Sequence, residues 1–327
     1  MNKLNRRGRR QLLQCALAAL ATTALQQPRA WATNNAGPVT KAIGTHAERL
    51  AVIGLGTNRF RLDKREQIRQ VLQRMAELSG QVIDTAPAYG ESEETLGAVI
   101  AELGLRERFF LATKLTATDA GAATALSPSA SLERSLTRLR TDRIDLLQVH
   151  NLQGTAQLMP QLLEWRRAGK IRYLGLTTSR AAQHAQLLTE MDLYPVDFIQ
   201  VDYSLGNRAA AEAILPAAAA RKIAVLINLP LGGGRDANLV NLAGTRPLPG
   251  WAQNAGIESW SQFGLVYVTS HPAVTCAIPG TTQAQHLADN LMAARVPPAS
   301  ATLRQRMQEF WDRDIVGGTT PAPRASQ

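Results

Sequence analysis

The sequence predicts an α/β protein that folds as a single (β/α)8 TIM barrel with long loops at the carboxyl ends of its strands. Short apolar runs alternate with longer amphipathic runs from about residue 50 to residue 293. The apolar runs are continuous, which is typical of parallel strands covered by helices. Eight strand–helix pairs within about 250 residues fit one closed barrel.

The predicted strands and helices alternate along the chain. We expect strands near 51–55, 81–84, 109–113, 144–149, 171–176, 198–201, 223–227 and 274–277. We expect helices near 63–79, 92–103, 128–140, 156–169, 180–190, 208–220, 257–270 and 282–293. The alternative, a doubly wound open sheet, predicts a Gly-x-Gly-x-x-Gly turn after the first strand. The stretch Gly54-Leu55-Gly56-Thr57-Asn58-Arg59 stops after two glycines, so the barrel is favoured.

The barrel is expected to occupy residues 50–316, between a leader and a tail. Residues 33–49 form a polar leader, and residues 317–327 are rich in Pro, Thr and Ser and are expected to be disordered. The longest connection runs from Pro230 to Ser259. Loops of this length in compact domains are usually binding loops or mobile segments.

Residues 1–32 have the three-part layout of a signal peptide. A basic head precedes an apolar run that is too short to span a bilayer, and Ala30-Trp31-Ala32 resembles a cleavage site. Arg9-Arg10 followed by Gln11-Leu12-Leu13 resembles the twin-arginine signal, so we expect the twin-arginine export machinery as a partner. An ordinary secretory signal or a basic disordered tail is the alternative. We therefore expect a periplasmic protein, exported in its folded state, with no stable membrane span.

Most of the positive charge belongs to this segment. The whole chain has a formal net charge of +10, and residues 1–32 contain six basic and no acidic residues, which leaves +4. That charge is too mild to favour a nucleic-acid partner. Of the two cysteines, Cys15 lies in the signal and Cys276 is then alone. Cys276 lies in a strand-like run, where a buried small apolar residue is expected rather than a nucleophile.

Three consecutive predicted strands end in polar residues. The second strand ends at Asp84 and its loop contains Tyr89, the third ends at Lys114, and the fourth is followed by His150. Barrel enzymes take their reacting groups from the carboxyl ends of several strands. Each residue alone has an ordinary structural explanation, but four at matching strand ends favour a catalytic site.

These four residue types fit the reduction of a carbonyl group to an alcohol. A tyrosine proton donor, with an ordinary pKa of about 10, needs a nearby cation such as Lys114 to stabilise its phenolate. Asp84 can hold Lys114 in place, and neutral His150 can donate a hydrogen bond to the carbonyl oxygen. No metal site is expected, because the histidines are not at ligand spacing with Cys or clustered carboxylates.

The motifs of the chain resemble those of the aldo-keto reductase superfamily. The matching stretches are Asp84-Thr85-Ala86-Pro87-Ala88-Tyr89-Gly90-Glu91-Ser92-Glu93, Ala112-Thr113-Lys114, Asp145-Leu146-Leu147-Gln148-Val149-His150, Gly169-Lys170-Ile171-Arg172-Tyr173-Leu174-Gly175, Gln200-Val201-Asp202-Tyr203-Ser204 and Ile278-Pro279-Gly280. The resemblance implies a (β/α)8 fold, a small carbonyl substrate, and NADP(H) or NAD(H) across the barrel mouth. It also implies that Tyr89 donates the proton and that Asp84, Lys114 and His150 assist it.

By the same resemblance, the cofactor is expected to lie against residues that follow the strands. They are Gly56, Thr57, Asn58, Thr177, Thr178, Gln200, Asn228, Leu231, Gly232, Gly280, Thr281, Thr282, His286, Asp289 and Asn290. Backbone N–H groups of the Gly-rich loop would hold the pyrophosphate, with Arg235 adding charge.

The cofactor region departs from the family pattern in three places. Thr178 replaces an asparagine that grips the carboxamide, and Asn228 replaces an aromatic residue that stacks on the nicotinamide. No Lys or Arg for a 2′-phosphate is visible near Gly280, Thr281 and His286. The sequence therefore leaves the choice between NADP(H) and NAD(H) open.

Two other functions are weighed against a working reductase. One is a nucleotide-binding barrel with little turnover that acts as a sensor or partner subunit. The other is a sugar-processing barrel without nicotinamide, which would need a second carboxylate opposite Asp84. The tryptophans Trp251, Trp260 and Trp311 are expected either to wall a substrate pocket or to pack in the protein.

Overall fold

The structure, a computed structural model, describes residues 37–117, 126–233 and 238–317. The strands in these ranges are β1 (Thr40–Ala42), β2 (Arg49–Ala51), β3 (Leu55–Gly56), β4 (Val82–Asp84), β5 (Phe110–Leu115), β6 (Ile144–Val149), β7 (Ile171–Thr177), β8 (Phe198–Asp202), β9 (Ala224–Asn228) and β10 (Cys276–Ala277). The α-helices are α1 (Arg65–Glu77), α2 (Ser92–Leu103), α3 (Pro128–Leu139), α4 (Thr155–Arg167), α5 (His184–Leu193), α6 (Ile214–Ala220), α7 (Leu239–Ala243), α8 (Gly250–Asn254), α9 (Trp260–Thr269), α10 (Ala284–Met292) and α11 (Ala301–Phe310).

The strands β3 to β10 form one parallel sheet in which neighbours along the chain are neighbours in the sheet. Two isolated parallel bridges, Ile53 with Ala277 and Gly56 with Gly280, join its two edges. Gly56 is required here, because a Cβ atom on it would lie 2.9 Å from the carbonyl oxygen of Ile278. The predicted (β/α)8 barrel is confirmed.

The core has an inner and an outer layer, because each strand is covered on both faces. All six residues of β6 are buried, as expected for a parallel strand between the barrel interior and the surrounding helices. Helix α1 buries one stripe, Ile68, Val71, Leu72 and Met75, at helical spacing. Burial of each such side chain stabilises the fold by about 1.5–3 kcal/mol.

A β-hairpin covers the amino-terminal end of the barrel, where the sequence predicts the end of a polar leader and a first strand at 51–55. The expected strand is wrong in part, because its residues are shared between β2 of the hairpin and β3 of the barrel. Ile43 and Leu50 of the hairpin are buried against the first residues of the barrel strands. Part of the expected leader, residues 33–49, is thus packed against the barrel.

Polar contacts fasten this hairpin to the barrel at two places. The Lys41 ammonium donates to three carbonyl oxygens at 2.6–2.9 Å. They belong to Thr269, the last residue of α9, and to His271 and Val274, which follow it. The Glu48 carboxylate accepts a hydrogen bond from the Tyr173 hydroxyl at 2.8 Å and pairs with Arg172. The amino-terminal end of the barrel is therefore closed.

The long connection from Pro230 to Ser259 contains two helices, α7 and α8, which the sequence analysis does not predict. Trp251 and Trp260 pack with Phe263 and Phe310, and Trp311 is buried, so packing rather than a substrate wall accounts for the three tryptophans.

Cys276 is fully buried on β10, as predicted, and burial raises the pKa of its thiol. Within the described ranges, no helix combines the length and the apolar character needed to cross a membrane. The expected signal peptide, Arg235 and residues 318–327 of the expected tail lie outside the described residues.

Candidate active site

Polar side chains from three neighbouring strands meet at the carboxyl end of the barrel. Asp84 is the last residue of β4, Lys114 is next to last in β5, and His150 follows β6 directly. Tyr89 ends the short 3-10 turn after β4. Because β4, β5 and β6 are adjacent and parallel, their carboxyl ends lie along one edge. The structure thus brings together all four residues that the sequence predicts as catalytic.

Asp84 and Lys114 form a buried ion pair. The Lys114 ammonium lies 2.6 Å from Oδ2 of Asp84 and also donates to the carbonyl oxygen of Thr85 at 2.8 Å. Only 2% of Lys114 is exposed. Burial by itself would lower the pKa of Lys114, but the interactions with Asp84 and Tyr89 outweigh it and hold that pKa above its ordinary value. Lys114 is therefore a fixed cation in a site that excludes water.

The second carboxylate oxygen of Asp84 has a partner that the sequence analysis does not assign. Nε2 of Gln148, on β6, donates to Oδ1 of Asp84 at 3.3 Å, and Gln148 is fully buried. Gln148 is opposite Lys114 in the register of β5 and β6. Its position two residues before His150 is the signal that could have found it, because alternate residues of a strand face the same side.

Tyr89 lies between the buried cation and the imidazole. The Lys114 ammonium is 4.8 Å from the centre of the Tyr89 ring, and its interaction with this side chain helps to raise the pKa of Lys114. The rings of Tyr89 and His150 meet edge to face, with centres 6.1 Å apart. Tyr89 is half-buried, so its ring is part of the wall of a cavity while Lys114 behind it is closed off.

His150 is held in its neutral form. Burial, followed by the charge of Lys114, lowers the pKa of His150 to about 4. At neutral pH the imidazole therefore carries one N–H donor and one acceptor nitrogen. Such a group can donate a hydrogen bond to a substrate oxygen without adding a second positive charge beside Lys114.

A cavity of about 610 Å³ opens beside Asp84 and Tyr89. Three segments line it: the turn after β3, the end of β9 with the loop that follows, and the turn after β10. Ten residues predicted to bind the cofactor are among them: Gly56, Thr57, Asn58, Asn228, Leu231, Gly232, Gly280, Thr281, Thr282 and His286. The cavity thus extends from Asp84 and Tyr89 to the rim of the barrel.

Two of the remaining predicted residues use their side chains for contacts within the protein. The Thr178 hydroxyl is 2.6 Å from Oε1 of Gln183 and accepts from the backbone N–H of Arg180 at 3.0 Å. Both carboxylate oxygens of Asp289 accept hydrogen bonds, from Ser259 at 2.6 Å and from Gln262 at 2.8 Å. Thr178 shapes a turn, and Asp289 joins α10 to the start of α9, so neither lines the cavity.

The last three predicted residues are buried near the cavity rather than on its wall. Thr177 and Gln200 are paired in register on β7 and β8, and Asn290 is buried on α10. Oε1 of Gln200 is buried without a hydrogen-bond partner among the described residues. An amide oxygen in that state is a position at which a bound N–H donor would be satisfied.

Arg59 lines the cavity and is not among the residues predicted from the sequence to bind the cofactor. It follows Asn58 in the turn after β3 and is exposed. The signal that could have found it is its place next to Gly56-Thr57-Asn58, at the same end of the barrel. Arg59 and His286 are the cationic or potentially cationic residues on the described part of the wall.

A second, smaller cavity of about 140 Å³ lies next to Lys114 and His150. Lys114, Leu115, His150, Asn151 and Gln153 contribute to its wall. Within the described ranges, no group of three or more His, Cys, Asp or Glu side chains is arranged to hold a metal ion. The polar groups that meet at this end of the barrel are a phenol, an ammonium, an imidazole and a carboxylate.

The chain is similar to known reductases in sequence. The sequence profile of the Aldo/keto reductase family matches residues 52–312. A Bacillus subtilis protein, aldo-keto reductase YhdN, is 39% identical over 163 residues, which are 45% of this chain and about half (46%) of that protein. Methylglyoxal reductase YeaE of Escherichia coli is 31% identical over 272 residues, covering 78% of this chain and 89% of that protein.

Solved structures agree with the sequence relatives. An aldo-keto reductase from Klebsiella pneumoniae in complex with NADPH superposes with a TM-score of 0.67 and 26% identity. The match covers 89% of this chain and 98% of that one.

Proposed function

This chain belongs to the aldo/keto reductase family and is an NAD(P)H-dependent oxidoreductase, and we propose that it reduces aldehyde or ketone carbonyls to alcohols at the ends of β4, β5 and β6. The observation that carries the proposal is the buried Asp84–Lys114 pair, which contacts Tyr89 on the wall of a large cavity. The neutral imidazole of His150 is in edge contact with the Tyr89 ring.

The residues of the cavity suit a nicotinamide dinucleotide. Glycines at 56, 232 and 280 leave room for close approach to the backbone, and unpartnered amide oxygens stand near the catalytic end. When bound, NAD(P)H supplies the hydride that attacks the carbonyl carbon. The remaining requirements, which are orientation of the carbonyl and delivery of a proton to its oxygen, fall to the protein.

His150 and Tyr89 act on the carbonyl oxygen. The neutral imidazole of His150 donates a hydrogen bond that polarises the carbonyl and favours hydride attack. The Tyr89 hydroxyl transfers its proton to the same oxygen as negative charge develops there. Both groups border the site from one side, since their rings are in edge contact.

Lys114 and Asp84 support this proton transfer. A cation fixed against Tyr89 stabilises the negative charge that the phenol oxygen gains when it releases its proton. Asp84 keeps Lys114 charged. Only 2% of Lys114 is exposed, and an unpaired ammonium there would be unfavourable. Both groups are in place before the substrate arrives, so little reorganisation accompanies the reaction.

The test is the substitution Tyr89→Phe, which removes only the hydroxyl. We expect turnover with NADPH or NADH and an aldehyde panel to fall by about 10²–10⁴-fold. Nucleotide affinity, measured by fluorescence, should stay within about twofold of wild type. Tyr194→Phe, at the end of α5 and away from the cavity, serves as the matched control. Undiminished turnover in Tyr89→Phe would exclude Tyr89 as the proton donor.

The same assay separates the reductase from a barrel that binds nucleotide with little turnover. Tight nucleotide binding without oxidation of NADPH or NADH by any aldehyde would favour the binding protein. Methylglyoxal belongs in the panel, because it is the substrate named for the Escherichia coli relative. Mass spectrometry of the nucleotide that co-purifies would decide between NADP(H) and NAD(H).

For location, we propose export to the periplasm by the twin-arginine route. The support is the sequence Arg9-Arg10-Gln11-Leu12-Leu13 and the Ala30-Trp31-Ala32 site that follows. A double change of Arg9 and Arg10 to Lys keeps the charge and should trap the protein in the cytoplasm. Periplasmic recovery of that variant, with an unchanged mature amino terminus by mass spectrometry, would show that another route exports it.

A further inference from the structure

One side-chain amide at the carboxyl end of β9 has an oxygen without a hydrogen-bond partner among the described residues. Asn228 is the last residue of β9 and lines the large cavity together with Asp84 and Tyr89. Its Nδ2 donates to the carbonyl oxygen of Thr178 at 3.4 Å. Its Oδ1 is buried and has no hydrogen-bond partner among the described residues.

The orientation of this amide follows from its neighbour. A backbone carbonyl oxygen can only accept, so the amide must turn its NH2 group toward Thr178. A flipped amide would set two acceptor oxygens against each other. Oδ1 therefore faces the other way, as an acceptor that wants an N–H or O–H donor.

The protein groups close to Asn228 do not supply that donor. Asp202, its partner in register on β8, accepts from Asn207 and faces His184 at 4.0 Å. The Thr178 hydroxyl is engaged by Gln183 and Arg180. A buried acceptor without a partner is unfavourable, so this oxygen needs a donor from outside the protein, such as a water molecule or a bound ligand.

The neighbouring strand β8 carries a second side-chain amide oxygen without a hydrogen-bond partner in the described part of the chain. Oε1 of Gln200, on β8, is also buried and unpartnered among the described residues. Two amide oxygens on neighbouring strands, each lacking a donor, match a ligand group that carries two N–H bonds. A primary carboxamide has this property, whereas a carboxylate or a ketone offers no donor.

We propose that Oδ1 of Asn228 accepts a hydrogen bond from the NH2 of the nicotinamide carboxamide, so that Asn228 makes the cavity selective for a primary amide. The assignment rests on the proposed nicotinamide-dependent function. It gives Asn228 a hydrogen-bonding role at a strand end where the family pattern has an aromatic ring. It also explains how the carboxamide is recognised although the Thr178 hydroxyl is occupied.

Binding of three oxidised dinucleotides tests the assignment without any turnover. They are NADP⁺, its thionicotinamide analogue, which keeps the NH2 group, and its 3-acetylpyridine analogue, in which a methyl group replaces NH2. Dissociation constants are measured by quenching of tryptophan fluorescence. We expect wild type to bind the thio analogue within about threefold of NADP⁺ and the acetyl analogue roughly tenfold more weakly, because one buried acceptor then stays unpaired.

The variant Asn228→Leu removes the acceptor. We expect NADP⁺ to bind roughly tenfold more weakly and the acetyl analogue to bind as well as NADP⁺. Asn254→Leu, an exposed change on α8, should keep the wild-type pattern. Circular dichroism confirms folding, and Asn228→Ser replaces the leucine variant if the latter does not fold.

Two results would overturn the assignment. One is equal binding of NADP⁺ and the acetyl analogue by wild type, and the other is wild-type selectivity retained in the Asn228 variants. Failure of wild type to bind NADP⁺, NAD⁺ and the analogues of both would instead overturn the proposed function, together with the assignment that rests on it.

Discussion

The substitution Asp84→Asn tests the most consequential contact in the site, the buried pair with Lys114. The change preserves shape and removes one negative charge. It leaves an ammonium with 2% exposure beside a neutral amide. Removing one partner of a buried ion pair costs about 3–5 kcal/mol, because the remaining charge is buried without compensation.

The expected fall in melting temperature follows from the size of the folded body. At about 2.1 cal/mol/K of unfolding entropy per residue and about 270 residues, a loss of 3–5 kcal/mol lowers the melting temperature by roughly 5–9 °C. Asp142→Asn is the matched control, since Asp142 is exposed between α3 and β6. That variant should melt within about 1 °C of wild type.

The free energies of unfolding of wild type and Asp84→Asn should also differ in how they change with pH. In wild type the raised pKa of Lys114 contributes stability that is fully present below the unfolded value of about 10.4 and is lost as pH rises through the folded pKa. In Asp84→Asn, burial without a counter-charge lowers the pKa of Lys114. The unfolded chain then binds more protons than the folded one up to about pH 10.4, so the stability of the variant increases with pH in that window.

Urea unfolding, followed by tryptophan fluorescence at pH 7, 8, 9 and 9.5, measures both effects. We expect the stability gap between wild type and Asp84→Asn to be widest at pH 7 and to narrow toward pH 9.5. A gap below about 1 kcal/mol at pH 7, or one that widens with pH, would refute the inference that Lys114 depends on Asp84 for its charge.

Two further predictions concern packing and cofactor choice. Gly97→Ala places a Cβ atom against the carbonyl oxygen of Arg138, where α2 packs against α3. We expect it to lower the free energy of unfolding in urea by about 1–3 kcal/mol or more. Gly250→Ala, with open space around it, should be nearly neutral, and equal stabilities of the two variants would refute the close helix contact. We propose that Arg59, an exposed cation on the cavity wall, interacts with the 2′-phosphate of NADPH, so Arg59→Met should weaken NADPH binding on the order of fivefold and leave NADH binding unchanged. Equal weakening of both nucleotides would show that Arg59 does not distinguish them, and Arg167→Met on α4 is the control.

The grouping of Asp84, Tyr89, Lys114 and His150 at one end of the barrel could be predicted from the sequence, because parallel strands order their ends. Once 81–84, 109–113 and 144–149 are recognised as consecutive strands, the residues after them must lie along one edge. No knowledge of side-chain partners is needed for this step. Strand order does not predict the role of Gln148, because that role depends on a hydrogen bond to the second carboxylate oxygen of Asp84.

Ten of the fifteen residues predicted to bind the cofactor line the cavity, and others do not because their side chains have partners that sequence does not reveal. Asp289 faces Ser259 and Gln262 of another helix, and Thr178 is engaged by its own turn. The amino-terminal hairpin is missed for a different reason. Its strands have three residues each, too few to show an alternating pattern.

The hairpin closes one end of the barrel and leaves the other open, which is useful for immobilising or labelling the protein. Lys41 and Glu48 hold the hairpin against the face of the barrel opposite Tyr89 and His150. A solid support or a fluorescent reporter joined ahead of Thr40 would therefore be attached at the closed end. Immobilised in this way, the protein would present its open mouth to the surrounding solution, and nucleotide and substrate could exchange without passing the point of attachment.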